Sequence, residues 1–309
     1  MTYTLLSIPS PSFNSFGIGP LTFTLYGLMI GLGISAATLL AGPRSLARRL
    51  HPDTPLEMLT WVVPAGIVGA RVYHIVTDGV PIRNWHRVTE GGLGIPGAIA
   101  FGVIGGLLFV RRRGLDRNKV MDAVVPGIPL AQAIGRLGNW WNQELYGRPT
   151  DLPWALEIDL EHRVAGFTEF ETFHPTFLYE SLWNIGLVLF LIWIDRKRIL
   201  MPGKLIWVYV GGYAIGRLWI EAIRIDNATS PGGIRINLIV MAVLLLVSII
   251  ALRTSFDRDG AAARLAGSGA VGAAGAAGAA KGDRKAKADG GSDEYAEDTT
   301  DDTSVDEEE

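Results

Sequence analysis

Cysteine is absent from this 309-residue chain, so disulfides, thiolate metal sites and a cysteine nucleophile are all excluded. Any thiol in its chemistry belongs to a substrate. Charge is scarce as well: 19% of residues are Asp, Glu, Lys or Arg, against about 25% in soluble domains. With 49% hydrophobic residues and a mean hydropathy of +0.27, that shortage points to lipid around the body of the chain. No basic patch with interleaved aromatics is present, which excludes a nucleic-acid partner. The first twenty residues hold neither lysine nor arginine, so they lack the charged start of a cleavable signal peptide.

What charge there is segregates. Beyond Asp257 the chain is mostly Ala, Gly, Asp, Glu, Lys and Ser with almost no aromatic residue, with an Ala/Gly-rich run over 260–280 and an acidic end at Glu309. That composition cannot build a core, and residues 257–309 are expected to form a disordered cytoplasmic tail behind a membrane body of residues 1–256. Most of the net charge of −3 comes from this tail.

A bilayer core about 30 Å thick needs about 20 mostly apolar residues per helix. Segments of that kind fall near 22–42, 56–76, 91–110, 119–138, 177–194, 204–223 and 234–252. The fold class expected is an all-α polytopic membrane protein of about seven transmembrane helices. Pro126, Pro129, Gln132 and Arg136 interrupt the fourth segment, and a broken helix survives where neighbours or a cavity satisfy the freed backbone. Basic residues cluster at 44–49, 111–119, 196–204 and 253–258, alternate loops that stay preferentially in the cytoplasm. The N-terminus is therefore expected outside and the C-terminus inside. The longest loop, 139–176, falls on the outer face, where the alternation over 154–159 predicts a small β-containing cap. Gly27 with Gly31, Gly102 with Gly106 and Gly212 with Gly216 have the spacing of close helix packing.

Charges inside apolar segments carry the functional signal, because each costs ~2.5–3.5 kcal/mol at a helix centre. Arg71 lies late in the second segment, Arg136 ends the fourth and Glu180 begins the fifth. Arg217, Glu221 and Arg224 share one helical face of the sixth. Arg217 and Glu221, at i and i+4, suit an ion pair that staples the bundle. Several arginines converging at one membrane depth suit an anion instead, since guanidinium presents a planar fork that matches phosphate. Residues 136–144 place Arg136, Asn139, Asn142 and Glu144 among aromatics, which a plain interfacial aromatic belt does not require.

Residues 135–147 read Gly-Arg-Leu-Gly-Asn-Trp-Trp-Asn-Gln-Glu-Leu-Tyr-Gly, ending at Gly147. This resembles the prolipoprotein diacylglyceryl transferase family, whose signature is Gly-Arg-x-Gly-Asn-x-x-Asn-x-Glu-x-x-Gly. Further matches follow in the family's order: Tyr26-Gly27, Gly91-Gly92, then His174 to Glu180 with Tyr179, then Gly216-Arg217, Glu221 and Arg224. The resemblance spans about residues 21–253. It implies a bacterial inner-membrane transferase of lipoprotein biosynthesis. The diacylglyceryl group of phosphatidylglycerol would pass to the lipobox cysteine of a prolipoprotein, forming a thioether and releasing glycerol 1-phosphate. Arg136 and Arg217 would take the phosphate, with Arg71 and Arg224 as secondary partners, and Asn139 and Tyr26 would orient the glycerol and phosphate oxygens. Glu144 and Glu221 are expected to hold arginines; Gly147, His174 and Tyr179 complete the substrate-binding set. That chemistry calls for no cofactor or metal.

One departure matters. Many members of the family carry a histidine, proposed to help deprotonate the thiol, where this chain has Pro96. His174 stands as a possible replacement, but its place before Pro175 equally suits a helix cap; His51, His86 and His162 fall in loops and His74 ends the second helix, so no base is assigned. Gly92, Gly94 and Gly97 match a dinucleotide fingerprint but lie in an apolar helix without a preceding strand, which removes that reading. Gly33-Ile34-Ser35 resembles an intramembrane serine-protease motif, yet no later helix supplies the activating histidine. A secondary transporter or binding protein for an anionic or phospholipid ligand is the rival class. A transporter predicts internal repeats, and none is evident.

Overall fold

The computed structural model describes residues 7–19, 21–78, 94–226 and 235–253. Gly91, Gly92, His86 and the tail of 257–309 lie outside the described residues. A hairpin of β1 (Ser15–Ile18) and β2 (Leu21–Thr24) leads into α1 (Leu25–Leu46). There the Thr24 hydroxyl accepts from Gly27 N at 3.1 Å and satisfies a first-turn amide. Then follow α2 (Thr54–Asp78), α3 (Ile95–Arg112), α4 (Arg117–Val124) and α5 (Gly127–Asn142). After β3 (Leu156–Glu157) and β4 (Thr172–Phe173) come α6 (Thr176–Lys197), α7 (Leu205–Ile223) and α8 (Ile236–Arg253). Pro96 occupies the first turn of α3, where its missing N–H costs nothing.

The segment expected as one fourth helix is two. Pro126 lacks an amide hydrogen, and its ring disfavours a continuous helix through Val125, so α4 stops and α5 restarts beyond it. Among the described residues five helices, α1, α2, α3, α6 and α8, are long and apolar enough to cross a membrane. Helix α5 has only 16 residues, and α7 spends part of its 19 on Arg217 and Glu221. Leu39, Val76, Ile99, Leu189 and Val243 lie exposed on the helices' outer faces. Water would penalise so extensive an apolar surface, whereas lipid does not. The chain is a mostly helical membrane protein, with two small sheets among the described residues.

Helix α2 packs along α3, α1 along α5, and α6 against both α5 and α7, with α8 on α7. Backbones touch where side chains vanish. A Cβ on Gly97 would lie 2.1 Å from Gly69 O, and one on Gly33 would lie 2.8 Å from Ala131 O. Of the glycine pairs expected to do this, Gly212 and Gly216 do pack, against Leu187 and Trp183 of α6. Gly31 meets nothing within 4 Å, because α1 turns its other side to α5.

At one end of the bundle the loop of 143–175 folds into a small head. The strand expected over 154–159 shrinks to the two residues of β3, paired with β4 through Leu156 and Phe173. Ile8 adds a parallel bridge to Leu156. Tyr146, Leu156, Ile158, Phe173 and Phe177 form its core. At the opposite end Arg48, just past α1, grips both Asp195 oxygens at 2.6 Å, Arg44 of α1 donates to Asp122 O at 2.7 Å, and the Asp122 carboxylate of α4 accepts from Gly203 N at 2.8 Å. These contacts fix α1, α4, α6 and the start of α7 to each other.

Candidate active site

The signature residues sit where α5 ends under the head. Gln143 and Leu145 adopt left-handed backbone at φ 51° and 60°, which breaks the helix and turns the chain back over its own last turn. Glu144 then accepts from Asn139 Nδ2 at 2.8 Å and from Asn142 Nδ2 at 2.9 Å. The expectation that Glu144 holds an arginine is corrected: it holds two asparagines, and Asn139 in turn accepts from Arg136 Nη1 at 3.3 Å. Gly147 has no room for a side chain, since a Cβ would stand 2.9 Å from His174 Cβ and 3.1 Å from Ile223 O. Its amide donates to His174 O at 2.9 Å, and the Arg148 amide donates to Ile223 O at 2.9 Å. The end of the signature is thereby latched to the end of α7.

Below this latch lies a network of charges. Glu180 of α6 pairs with Arg136 of α5 and with Arg217 of α7, and Arg217 pairs also with Glu221 one turn along its own helix. The i,i+4 staple that the spacing allowed is therefore formed. Arg224 is not on the α7 face with them: the helix ends at Ile223, and Arg224 in extended backbone binds Asp226 at 2.7 Å and Glu221 at 3.8 Å. Arg235, just before α8, reaches Glu221 at 2.8 Å and Asp226 at 3.2 Å, while Asn237 donates to Glu221 Oε1 at 3.1 Å. Burial alone would raise the Asp226 carboxyl, but Arg224 and Arg235 outweigh it and hold it below the usual carboxylate range.

Four guanidinium groups here face the three carboxylates of Glu180, Glu221 and Asp226, which leaves an excess of positive charge. The Glu221 side chain is wholly buried, whereas that of Arg136 is 26% exposed. Arg136 has the most exposed side chain of the network.

Tyr26 of α1 packs its ring over Gly138, where a Cβ would meet it at 2.7 Å, which sets it beside Asn139. His174 Nδ1 lies 3.1 Å from the Tyr179 hydroxyl, which also accepts from Trp154 Nε1 at 3.0 Å. Burial lowers the His174 pKa. Tyr179 opens an apolar groove of about 620 Å³ between α6 and α7, lined further by Trp183, Leu187, Phe190, Gly212 and Trp219. Arg71 is buried on α2, which packs chiefly on α3.

Sequence reasoning missed Arg235, Asp226 and Asn237. A signal existed: an arginine at the end of the last apolar segment opposite Arg253 runs against the inward bias of basic residues.

Fold and site together define a helical membrane protein with a charged centre sunk into one end of its bundle. The profile of the prolipoprotein diacylglyceryl transferase family matches residues 14–254. The chain is 46% identical over 254 residues to the phosphatidylglycerol–prolipoprotein diacylglyceryl transferase of Cutibacterium acnes, covering 80% of this chain and 86% of that one. It is 43% identical over 285 residues to the protein of that name from Streptomyces griseus, with 86% of each chain covered. To the first such transferase of Streptomyces coelicolor it is 47% identical over 242 residues, 75% of this chain and 69% of the other. The chain belongs to the prolipoprotein diacylglyceryl transferase family.

Proposed function

We propose that the chain transfers the diacylglyceryl group of phosphatidylglycerol to the lipobox cysteine of a prolipoprotein, forming a thioether and releasing glycerol 1-phosphate. Family membership supports the activity. One observation carries the site: Arg136, within the signature, remains partly exposed in a network where guanidinium groups outnumber carboxylates. As the cysteine sulfur bonds to the glyceryl carbon, the carbon–oxygen bond breaks and charge gathers on the departing phosphate. A preorganised guanidinium in a dry site stabilises that charge without reorganising. Arg136 takes the phosphate, and Arg217, gripped by Glu180 and Glu221, keeps Glu180 and hence Arg136 in place. Asn139, held by Glu144, and Tyr26 orient the glycerol and phosphate oxygens. Arg71, Arg224, Gly147, His174 and Tyr179 shape the surrounding pocket. A thiol of pKa ~8.5 is only slightly ionised at neutral pH, so an excess of positive charge also favours the attacking thiolate.

The body of residues 1–256 crosses the membrane seven times, counting α4 and α5 as one broken passage. The head of 139–176 faces outward, where exported precursors arrive, and the C-terminus is cytoplasmic. The decisive experiment incubates purified protein with phosphatidylglycerol labelled in its headgroup and a lipobox peptide. Release of labelled glycerol phosphate that requires the peptide's cysteine is the expected result. Phospholipid binding or movement without release would favour the transporter class.

A further inference from the structure

One helical turn in from the charged network, away from the head, the next layer of side chains is polar and incomplete. Gln132 stands four residues before Arg136 on α5, and Asn184 four residues after Glu180 on α6. Because Arg136 and Glu180 are ion-paired across these helices, the spacing sets Gln132 and Asn184 on facing sides of the next turn. Ser181 Oγ donates to Ala133 O at 2.9 Å and pins α5 to α6 at this level. Asn184 is 2% exposed, yet its Oδ1 has no hydrogen-bond partner, and neither has the shielded Oε1 of Gln132. Buried polar atoms are nearly always partnered, so two orphans in one layer, on two helices, mark the place of a ligand. Helices α5 and α7 both pack on α6 and make few close backbone approaches to each other, so side chains alone separate them over α6.

A phospholipid whose phosphate sits on Arg136 has its ester carbonyls a few covalent bonds further in, about the ~5.4 Å of one helical turn. We propose that Gln132 and Asn184 bind the ester carbonyls of the diacylglyceryl group and make the enzyme selective for diester over diether lipid. This rests on the phosphate role of Arg136. A half-turn of each carboxamide presents its NH₂, a donor, in place of the oxygen. At Gln132 the Tyr209 hydroxyl, which lies against the carboxamide, then donates to that oxygen.

The test uses the purified full-length protein, a lipobox peptide, and diester or di-O-alkyl phosphatidylglycerol of matched chain length, with glycerol phosphate as the readout. For the wild type the KM for the diether should be roughly five- to tenfold higher, the value of one or two hydrogen bonds. In Gln132→Leu and Asn184→Leu that ratio should collapse toward one. Equal KM values for the two lipids in the wild type overturn the proposal, whether or not the variants fold. Leucine variants that keep the full ratio also overturn it, leaving water as the occupant of the layer. Failure of both lipids to release glycerol phosphate would instead strike the transferase function itself, and equal release from both strikes only the carbonyl contact.

Discussion

Glu221 of α7 accepts from the Arg235 guanidinium at 2.8 Å, although the two lie 14 residues apart in the chain. Arg235 also donates to Asp226 O at 2.9 Å, so it closes the end of α7 onto the start of α8. Removing it leaves the wholly buried Glu221 with one cation fewer. Arg235→Ala is expected to lose about 1.5–3 kcal/mol, the range for a hydrogen bond to a charged group. Arg235→Lys should recover part of that. Thermal unfolding in detergent measures the loss, and an unchanged midpoint for Arg235→Ala would show that Asn237, Arg217 and Arg224 satisfy Glu221 alone.

Membrane-buried helices were legible because apolar length speaks directly: the starts of α1, α6 and α8 fall within three residues of the expected positions. Pro126 announced the break between α4 and α5, and Arg136, Asn139 and Glu144, singled out together, fall together in the candidate site. What stayed hidden depends on partners far along the chain. Glycine spacing does not say which face of a helix meets a neighbour, so Gly31 was misread while Gly33, which meets Ala131, was not among the packing glycines expected. Glu144 was expected beside an arginine because charge pairing is the simplest rule for a buried carboxylate. The left-handed turn at Gln143 and Leu145 instead folds it back onto Asn139 and Asn142, and helical periodicity cannot foretell that reversal.

His174 gives the head a pH dependence. Burial holds its folded pKa below the unfolded value of about 6.5, so the folded state resists the proton that the unfolded chain accepts. The sign follows: this contribution is fully present above the unfolded pKa and is lost as pH falls from about 6.5 toward the depressed folded value. Unfolding followed from pH 7.5 to 5 should show stability falling with pH in the wild type and a shallower fall in His174→Gln. Identical slopes would remove His174 from the account.

Orientation is open to direct test. A reporter fused after Arg253 should read cytoplasm and one inserted near Glu161 the outer face, from the alternation of basic loops. Both readings reversed would overturn the orientation, and both on one side would overturn the count of seven crossings.

The acidic tail is expected to be dispensable for chemistry, because its composition cannot build a site. Protein truncated before Gly260 should insert and turn over at the rate of the full chain, and loss of turnover by folded, inserted molecules would assign the tail a catalytic role.

Arg136 and Arg217 should part company when each is replaced by lysine. Lysine keeps the charge but loses the two-pronged geometry, and the two arginines use that geometry differently. Arg217 is almost wholly buried and spans Glu180 and Glu221 at once. One ammonium group cannot reach both, so Arg217→Lys should lose roughly 2–3 kcal/mol of stability, somewhat less than outright removal of a buried partner. Arg136 is more exposed and pairs with Glu180 through Nε while Nη1 reaches Asn139, which leaves part of the fork for phosphate. Arg136→Lys should therefore fold with little loss yet turn over ~10²–10³ more slowly, the scale for losing one preorganised donor to a developing anion. Turnover counted per folded, detergent-purified molecule separates the two effects. Near-normal turnover by folded Arg136→Lys would sink the phosphate contact, because the remaining charge would then suffice without the fork.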